Sequence, residues 1–214
     1  MRLTPFALPN SDLIYSLLVG AALKTLYLLG ALDNKRNLTQ LGRDMAVFPL
    51  EPPLARAVVA SRELGCTLEV LDIVSVLSAS SKLFFDSTDE REAAADARRK
   101  FRHRTGDHLT VLNVVRAYQE IAAVEKKSGR KEWCRKQFLN ERCLAEAMDV
   151  RTQLREVCER MQIDWRASCG EDEQPVLKCL VRGLVQHAAY LQPDGSYKQL
   201  MGPSVRKALS PNAA

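Results

Sequence analysis

The sequence predicts a mainly α-helical protein that closes on a short β segment. Apolar residues recur at three- and four-residue spacing through most of its 214 residues. Near the start, two helical stretches flank a tiny polar turn. Near the end, Gln192, Pro193, Asp194 and Gly195 separate two short strand-like runs.

The apolar stretch Leu13 to Leu32 opens as a Leu-rich helix that ends at Gly30, because a left-handed residue costs glycine nothing there. The run is nearly all-round apolar, which predicts a buried helix, with Gly20 as a candidate break. Ala31 and Leu32 can pair with Asn37, Leu38 and Thr39 around the turn Asp33 to Arg36, and a further helical turn spans Leu41 to Ala46. Helix, hairpin, helix is the order of a winged helix. Pro52 and Pro53 can open the next helix, since proline is tolerated where amide donors have no partner, and Gly65 closes it. A second apolar helix is predicted from Thr67 to Leu77.

Ser78 to Ser87 is a polar connection. Asp89 is a candidate cap for a charged helix over Glu90 to Arg104, ended by Thr105 and Gly106. Asp107 starts a helix with Leu109, Leu112, Val115, Tyr118 and Ala122 on one face. Lys126 to Gly129 is expected to be a loop and Arg130 to Leu139 a short helix. Glu141 to Met161 is a long amphipathic helix, and Pro175 to His187 a last one. Ala188 to Leu191 and Ser196 to Leu200 are the two strands.

The apolar fraction of 46% supports a packed core. A net charge of +5, clustered rather than spread, favours a polyanionic partner. The cysteines at 66, 134, 143, 158, 169 and 179 include no C-x-x-C pair, so buried reduced thiols are expected rather than a metal site. Lys24 and the polar interruptions Thr25 and Tyr27 argue against a membrane span in the first apolar run. An intracellular protein is expected.

Several motifs in order carry a resemblance. Leu26 to Asp33, Leu38 to Arg56, and Gly65, Cys66 and Glu69 resemble the winged helix that follows the motor lobes of DEAH-box RNA helicases. Gly106 to Thr110 with Asn113, Trp133, Cys134 and Phe138, Val150 with Arg151, Gln153 and Leu154, then Cys179 and Ala189 to Tyr197 continue it. The resemblance implies a winged helix (1–64), a ratchet-like helical bundle (65–187) and the truncated start of an oligonucleotide-binding (OB) fold (188–214). It departs in the tail, where Ala208 to Ala214 replaces the family's usual continuation.

No phosphate loop and no Asp-Glu-Ala-His box occurs in the sequence, and ATP hydrolysis needs a phosphate cradle and a magnesium carboxylate. The chain alone is not expected to hydrolyse ATP; ATP and magnesium belong to the parent motor. The resemblance implies an accessory, RNA-binding C-terminal region, with single-stranded RNA, helicase motor lobes or a glycine-rich G-patch protein as partners, and a nuclear location. A stand-alone interaction module and a gene fragment without activity of its own are the alternatives.

Two basic runs, Arg98 to Arg104 and Lys126 to Lys136, are candidate phosphate contacts; their aromatics Phe101 and Trp133 are expected to face the core. Arg151 lies on the apolar stripe of its helix. It either reaches a phosphate across a channel or makes an ion pair with Asp149, Glu146 or another helix. The candidate RNA contacts are therefore Arg151, Gln153, Lys178, Lys126, Lys127, Arg130 and Lys131. His108 beside Asp107 is expected to cap or bridge elements, since adjacent helical residues do not face each other.

Overall fold

The structure, a computed structural model, describes residues 11–85 and 90–200, with side chains from residue 18 onward. Helix α1 (Ser11–Leu28) ends where Gly30 turns left-handed at φ 78°, its amide bonding back to Tyr27. Contrary to expectation, α1 runs unbroken through Gly20, because one glycine costs a helix only about 1 kcal/mol. Nor is it buried: Leu18 and Val19 are 61% and 57% exposed. Among its described side chains, Leu26 packs against the core that Leu29, just past its end, enters.

The expected hairpin is a single bridge between Leu32 and Leu38. Asp33 builds its turn by accepting from the amides of Lys35 and Asn37, each at 2.8 Å. Helix α2 (Gln40–Ala46) is capped by Thr39, whose hydroxyl accepts from the Gly42 amide at 3.0 Å and donates to the Gly30 carbonyl at 2.8 Å. Gly42 permits the close approach: a Cβ there would sit 2.3 Å from the Ala31 carbonyl oxygen.

Helices α3 (Pro52–Leu64) and α4 (Thr67–Leu77) take the predicted bounds, joined by left-handed Gly65. After them come α5 (Arg91–Phe101), α6 (Asp107–Val124), α7 (Lys127–Lys136), α8 (Glu141–Arg160) and α9 (Gln174–Gly183). Helix α7 absorbs the segment expected to be a loop. Burial of Trp133 and Cys134 against α6 fixes the helix, and the Arg130 amide bonds to the Lys126 carbonyl at 3.0 Å to start it. The expected cap at Asp89 and the tail beyond residue 200 lie outside the described residues.

Two hydrophobic clusters hold the described residues together. The first joins Leu29, Met45 and Phe48 of the winged helix to Val58, Leu71, Leu154 and Cys179. Each such side chain contributes about 1.5–3 kcal/mol on burial. Helix α3 is the shared element, touching α2, α4 and α9. The second cluster surrounds Tyr118 with Val114, Phe101, Cys134, Leu139 and Leu144. The last helix is shorter than expected, giving way to a 3-10 turn at Val185–His187. Strands β1 (Ala189–Leu191) and β2 (Tyr197–Gln199) then pair antiparallel, with Tyr190 opposite Lys198. Among the described residues this hairpin is the only sheet. No helix of the described residues is long and apolar enough to cross a membrane.

Candidate nucleic-acid interface

The two basic runs flank one another because α5 and α7 both pack on α6. Phe101 and Trp133 turn inward between them, ring centroids 6.1 Å apart in an edge-on contact, and Trp133 leans on Tyr118 at 6.4 Å. With their apolar faces spent on the core, α5 and α7 leave cations to solvent. Phosphate contact is open to such a face; stacking on these two aromatics is not.

The sharp turn after α5 gathers the densest charge. Gly106, at φ 133°, reverses the chain into α6. The Thr110 hydroxyl accepts from the His103 amide at 2.9 Å and donates to the Gly106 carbonyl at 3.1 Å. Asn113 donates to the Phe101 carbonyl at 3.0 Å, closing the end of α5. From the far side, Glu173 accepts from Thr105 at 2.6 Å and lies 3.4 Å from His103 and 3.5 Å from Arg104. The result is a cleft of about 520 Å³ lined by Arg99, Arg102, His103, Arg104, Gly106 and Asp107. Among these lining residues, three guanidiniums face one carboxylate.

Not every cation of the runs is free. Arg98 donates to the Phe85 carbonyl at 2.9 Å and lies 4.9 Å over the Phe84 ring, tying the strap after α4 to α5. Arg99 pairs with Asp96 at 3.2 Å, and Arg135 and Lys136 share Glu132 at 2.9 and 3.6 Å. Lys126, Lys127 and Lys131 are exposed and make no ion pair among the described residues, while Arg130 is half-buried. Gln153 on α8 and Lys178 on α9 are exposed as well; Lys178 is not brought to this group, since α9 packs on α3 and α4 while α7 packs on α6 and α8.

Arg151 has the ion-pair fate, with another helix. Its guanidinium is buried against α4 and its Nε donates to Asp72. A cation so enclosed is turned from solvent, so the channel reading of Arg151 is not carried forward. Sequence reasoning missed the partner. Asp72 and Glu69 stand one turn apart on α4, both buried, in a helix otherwise rich in Leu, Val and Ile. Glu69 accepts from Ser168 at 2.5 Å and Arg116 at 3.4 Å; Gln119 donates to Asp72 at 3.3 Å. The two acids thus join α4 to α6, α8 and the loop before α9. The charge-on-an-apolar-face argument that singles out Arg151 would have found them too.

Electrostatics follow burial. The Asp72 carboxyl is pushed above its ordinary value by desolvation, which outweighs the pull of Arg151. Burial lowers the His108 imidazole, partly opposed by Asp107. The Cys134 thiol is pushed up to about 12, mainly by burial. All six cysteines are free thiols, and among the described residues no three His, Cys, Asp or Glu side chains converge as a metal site would require.

Comparison with known proteins agrees with this architecture. Residues 22–50 match the helicase-associated domain (HA2), winged-helix, and residues 51–111 the helicase-associated domain (HA2), ratchet-like. Human ATP-dependent RNA helicase DHX33 is 40% identical over 182 residues, 84% of this chain and 25% of the helicase. A putative pre-mRNA-splicing factor ATP-dependent RNA helicase of Schizosaccharomyces pombe is 36% identical over 187 residues, 86% of this chain and 28% of its own length. The probable ATP-dependent RNA helicase DHX35 of Pongo abelii is 36% identical over 180 residues, 84% and 24% of the two chains. The chain spans about a quarter of the length of these relatives. The chain thus carries, in order, the winged-helix and ratchet-like parts of the helicase-associated domain (HA2) and is similar over most of its length to ATP-dependent RNA helicases.

Proposed function

We propose that this chain is the RNA-binding accessory region of a DEAH-box helicase, gripping single-stranded RNA by its phosphates. The observation that carries the reading is the cleft at the α5–α6 turn, lined by Arg99, Arg102 and Arg104, where Asp96 pairs with Arg99, Glu173 pairs with Arg104, and Arg102 stands exposed without an ion pair among the described residues. Lys126, Lys127 and Lys131 extend the positive surface from α7. Because Phe101 and Trp133 are turned into the core, binding is through backbone charge and insensitive to sequence. The work of ATP and magnesium falls to motor lobes, and the hairpin β1–β2 is the opening of an OB fold. A nuclear place in RNA processing accords with the splicing-factor name of the fission-yeast relative.

Fluorescence anisotropy with a short unstructured RNA tests this. Affinity should fall by orders of magnitude as salt rises from roughly 50 to 200 mM if several phosphates are neutralised. Arg99→Gln, Arg102→Gln and Arg104→Gln together should flatten that slope. Binding indifferent to both salt and these substitutions removes the RNA reading.

A second reading is favoured by one observation. Helix α1 presents Leu18, Val19 and Tyr27 to solvent, at 61%, 57% and 49% exposure. A protein surface covering them, on a motor lobe or a G-patch partner, makes the winged helix a docking module. Loss of partner capture in Leu18→Ser with Val19→Ser, RNA affinity being unchanged, would separate the two.

A further inference from the structure

The first core cluster contains a chemical pair that the RNA reading does not use. Cys66, at the head of α4, and Cys179, in the middle of α9, place their sulfurs 3.5 Å apart, 113 residues distant in sequence. Both are fully buried free thiols. A disulfide needs its sulfurs at about 2.05 Å, so the two must close by roughly 1.5 Å.

A cleft of about 560 Å³ is lined by Glu69, Cys169 and Val176, among others. Glu69 lies one turn beyond Cys66 on α4, and Val176 one turn before Cys179 on α9. A water-sized oxidant in that cleft is therefore one helical turn from the pair. The partly exposed Cys169 thiol, raised to about 11 chiefly by burial, is a weak nucleophile at neutral pH.

We propose that Cys66 and Cys179 form a peroxide-sensitive modification site whose disulfide pins α9, and the hairpin behind it, to the head of α4. The Cys179 sulfur attacks the peroxide O–O bond, giving a sulfenic acid and releasing water. The Cys66 sulfur then attacks the Cys179 sulfur; the S–S bond forms, the S–O bond breaks, and the hydroxide leaves with the Cys66 proton as a second water. The two thiols lose two electrons, and one hydrogen peroxide becomes two waters. The pairing of the thiols favours this order. The two sulfurs share one hydrogen bond that either thiol can donate; Cys179 is lowered by it, while Cys66 is pushed up by it and by burial.

The test is mass spectrometry of the folded chain after mild hydrogen peroxide treatment, with free thiols alkylated before digestion. The expected product is a peptide pair joining Cys66 to Cys179, lighter by about 2 Da and separated again by a dithiol reductant. A bond across so long a loop should raise the melting temperature by roughly 5–10 °C. Cys169→Ser should still cross-link; Cys66→Ser should not, and its melting temperature should ignore peroxide. Sulfinic or sulfonic acid at Cys169 or the other cysteines with no 66–179 link overturns the proposal. So does a link that appears only in denaturant, or one that leaves the melting temperature unmoved.

Discussion

The inner face of α4 and the outer face of α7 carry charge in opposite ways. On α4, Glu69 and Asp72 are 1% and 3% exposed, and each is bonded to side chains of other elements. On α7, Lys127 and Lys131 stand in solvent, as does Lys126 at its start. The α4 charges are fixed in place, and their removal is costly. The α7 charges cost the fold little and are free for a ligand. Charge in a sequence therefore marks structure or function according to the face that holds it.

The largest effect should come from breaking the α4 side of that contrast. Asp72→Ala leaves the Arg151 guanidinium buried without its carboxylate and should cost about 3–5 kcal/mol. Replacing both partners, Asp72→Leu with Arg151→Met, removes two desolvated charges together and should recover most or all of that loss. Urea unfolding of the two variants decides it. If the double variant is as unstable as the single one, the pair does more than offset its own burial. Asp72 also sets a pH signature. Its carboxyl is raised in the folded chain, so its contribution to stability is greatest below the unfolded value of 3.8 and is lost as pH rises through the folded value. Asp72→Asn should erase that segment of the pH profile.

Glu69 should matter somewhat less. Glu69→Leu abandons the Ser168 hydroxyl and the Cys169 amide, at 2.5 and 3.4 Å, and strands the half-exposed Arg116. Loss of acceptors for partly buried donors costs about 1–3 kcal/mol, and the damage should concentrate in the loop before α9. Hydrogen exchange should show the Ser168 to Gly170 amides opening while those of α4 stay protected. Equal opening of both would mean that Glu69 holds α4 itself.

These side-chain bonds mark where sequence reasoning succeeds and where it stops. Element boundaries set by local chemistry were legible: Pro52 and Pro53 opening α3, Gly65 ending it, Gly195 turning the hairpin at φ 78°. The burial of Phe101 and Trp133 followed from their size. What was not legible depended on neighbours distant in the chain. Asp72 and Arg151 are 79 residues apart, and nothing local says that one waits for the other. The start of α7 read as a loop because Ser128 and Gly129 are poor helix formers, and packing on α6 overrode them. The outer face of α1 misled in the other direction, since an apolar run says only that something should cover it.

A smaller effect belongs to Asp33 in the winged-helix turn. Hydrogen bonds from Asn37, backbone first and then side chain, hold its carboxyl below the ordinary 3.8. The sign is opposite to that of Asp72: its contribution is present above 3.8 and is lost as pH falls through the lower folded value. Asp33→Asn should lower stability slightly above 3.8 and flatten the acid limb of the profile, and carbon-detected titration should place the two aspartates on opposite sides of the ordinary value. Finding them on the same side would contradict the burial contrast.

The smallest stability effect should come from the α7 face, where it is most informative. Lys126→Gln, Lys127→Gln and Lys131→Gln remove three charges that make no ion pair among the described residues. The melting temperature should stay within the change that about 0.5 kcal/mol produces. Counterion release makes a different demand on the same variant: each phosphate that a lysine no longer neutralises should lower the magnitude of the salt slope for single-stranded RNA by about 0.7. Stability unmoved and slope reduced would assign these lysines to the ligand. Stability lowered with the slope intact would place them, like Arg151, in the service of the fold. Slope and stability both unmoved would confine RNA binding to the arginines at the α5–α6 turn.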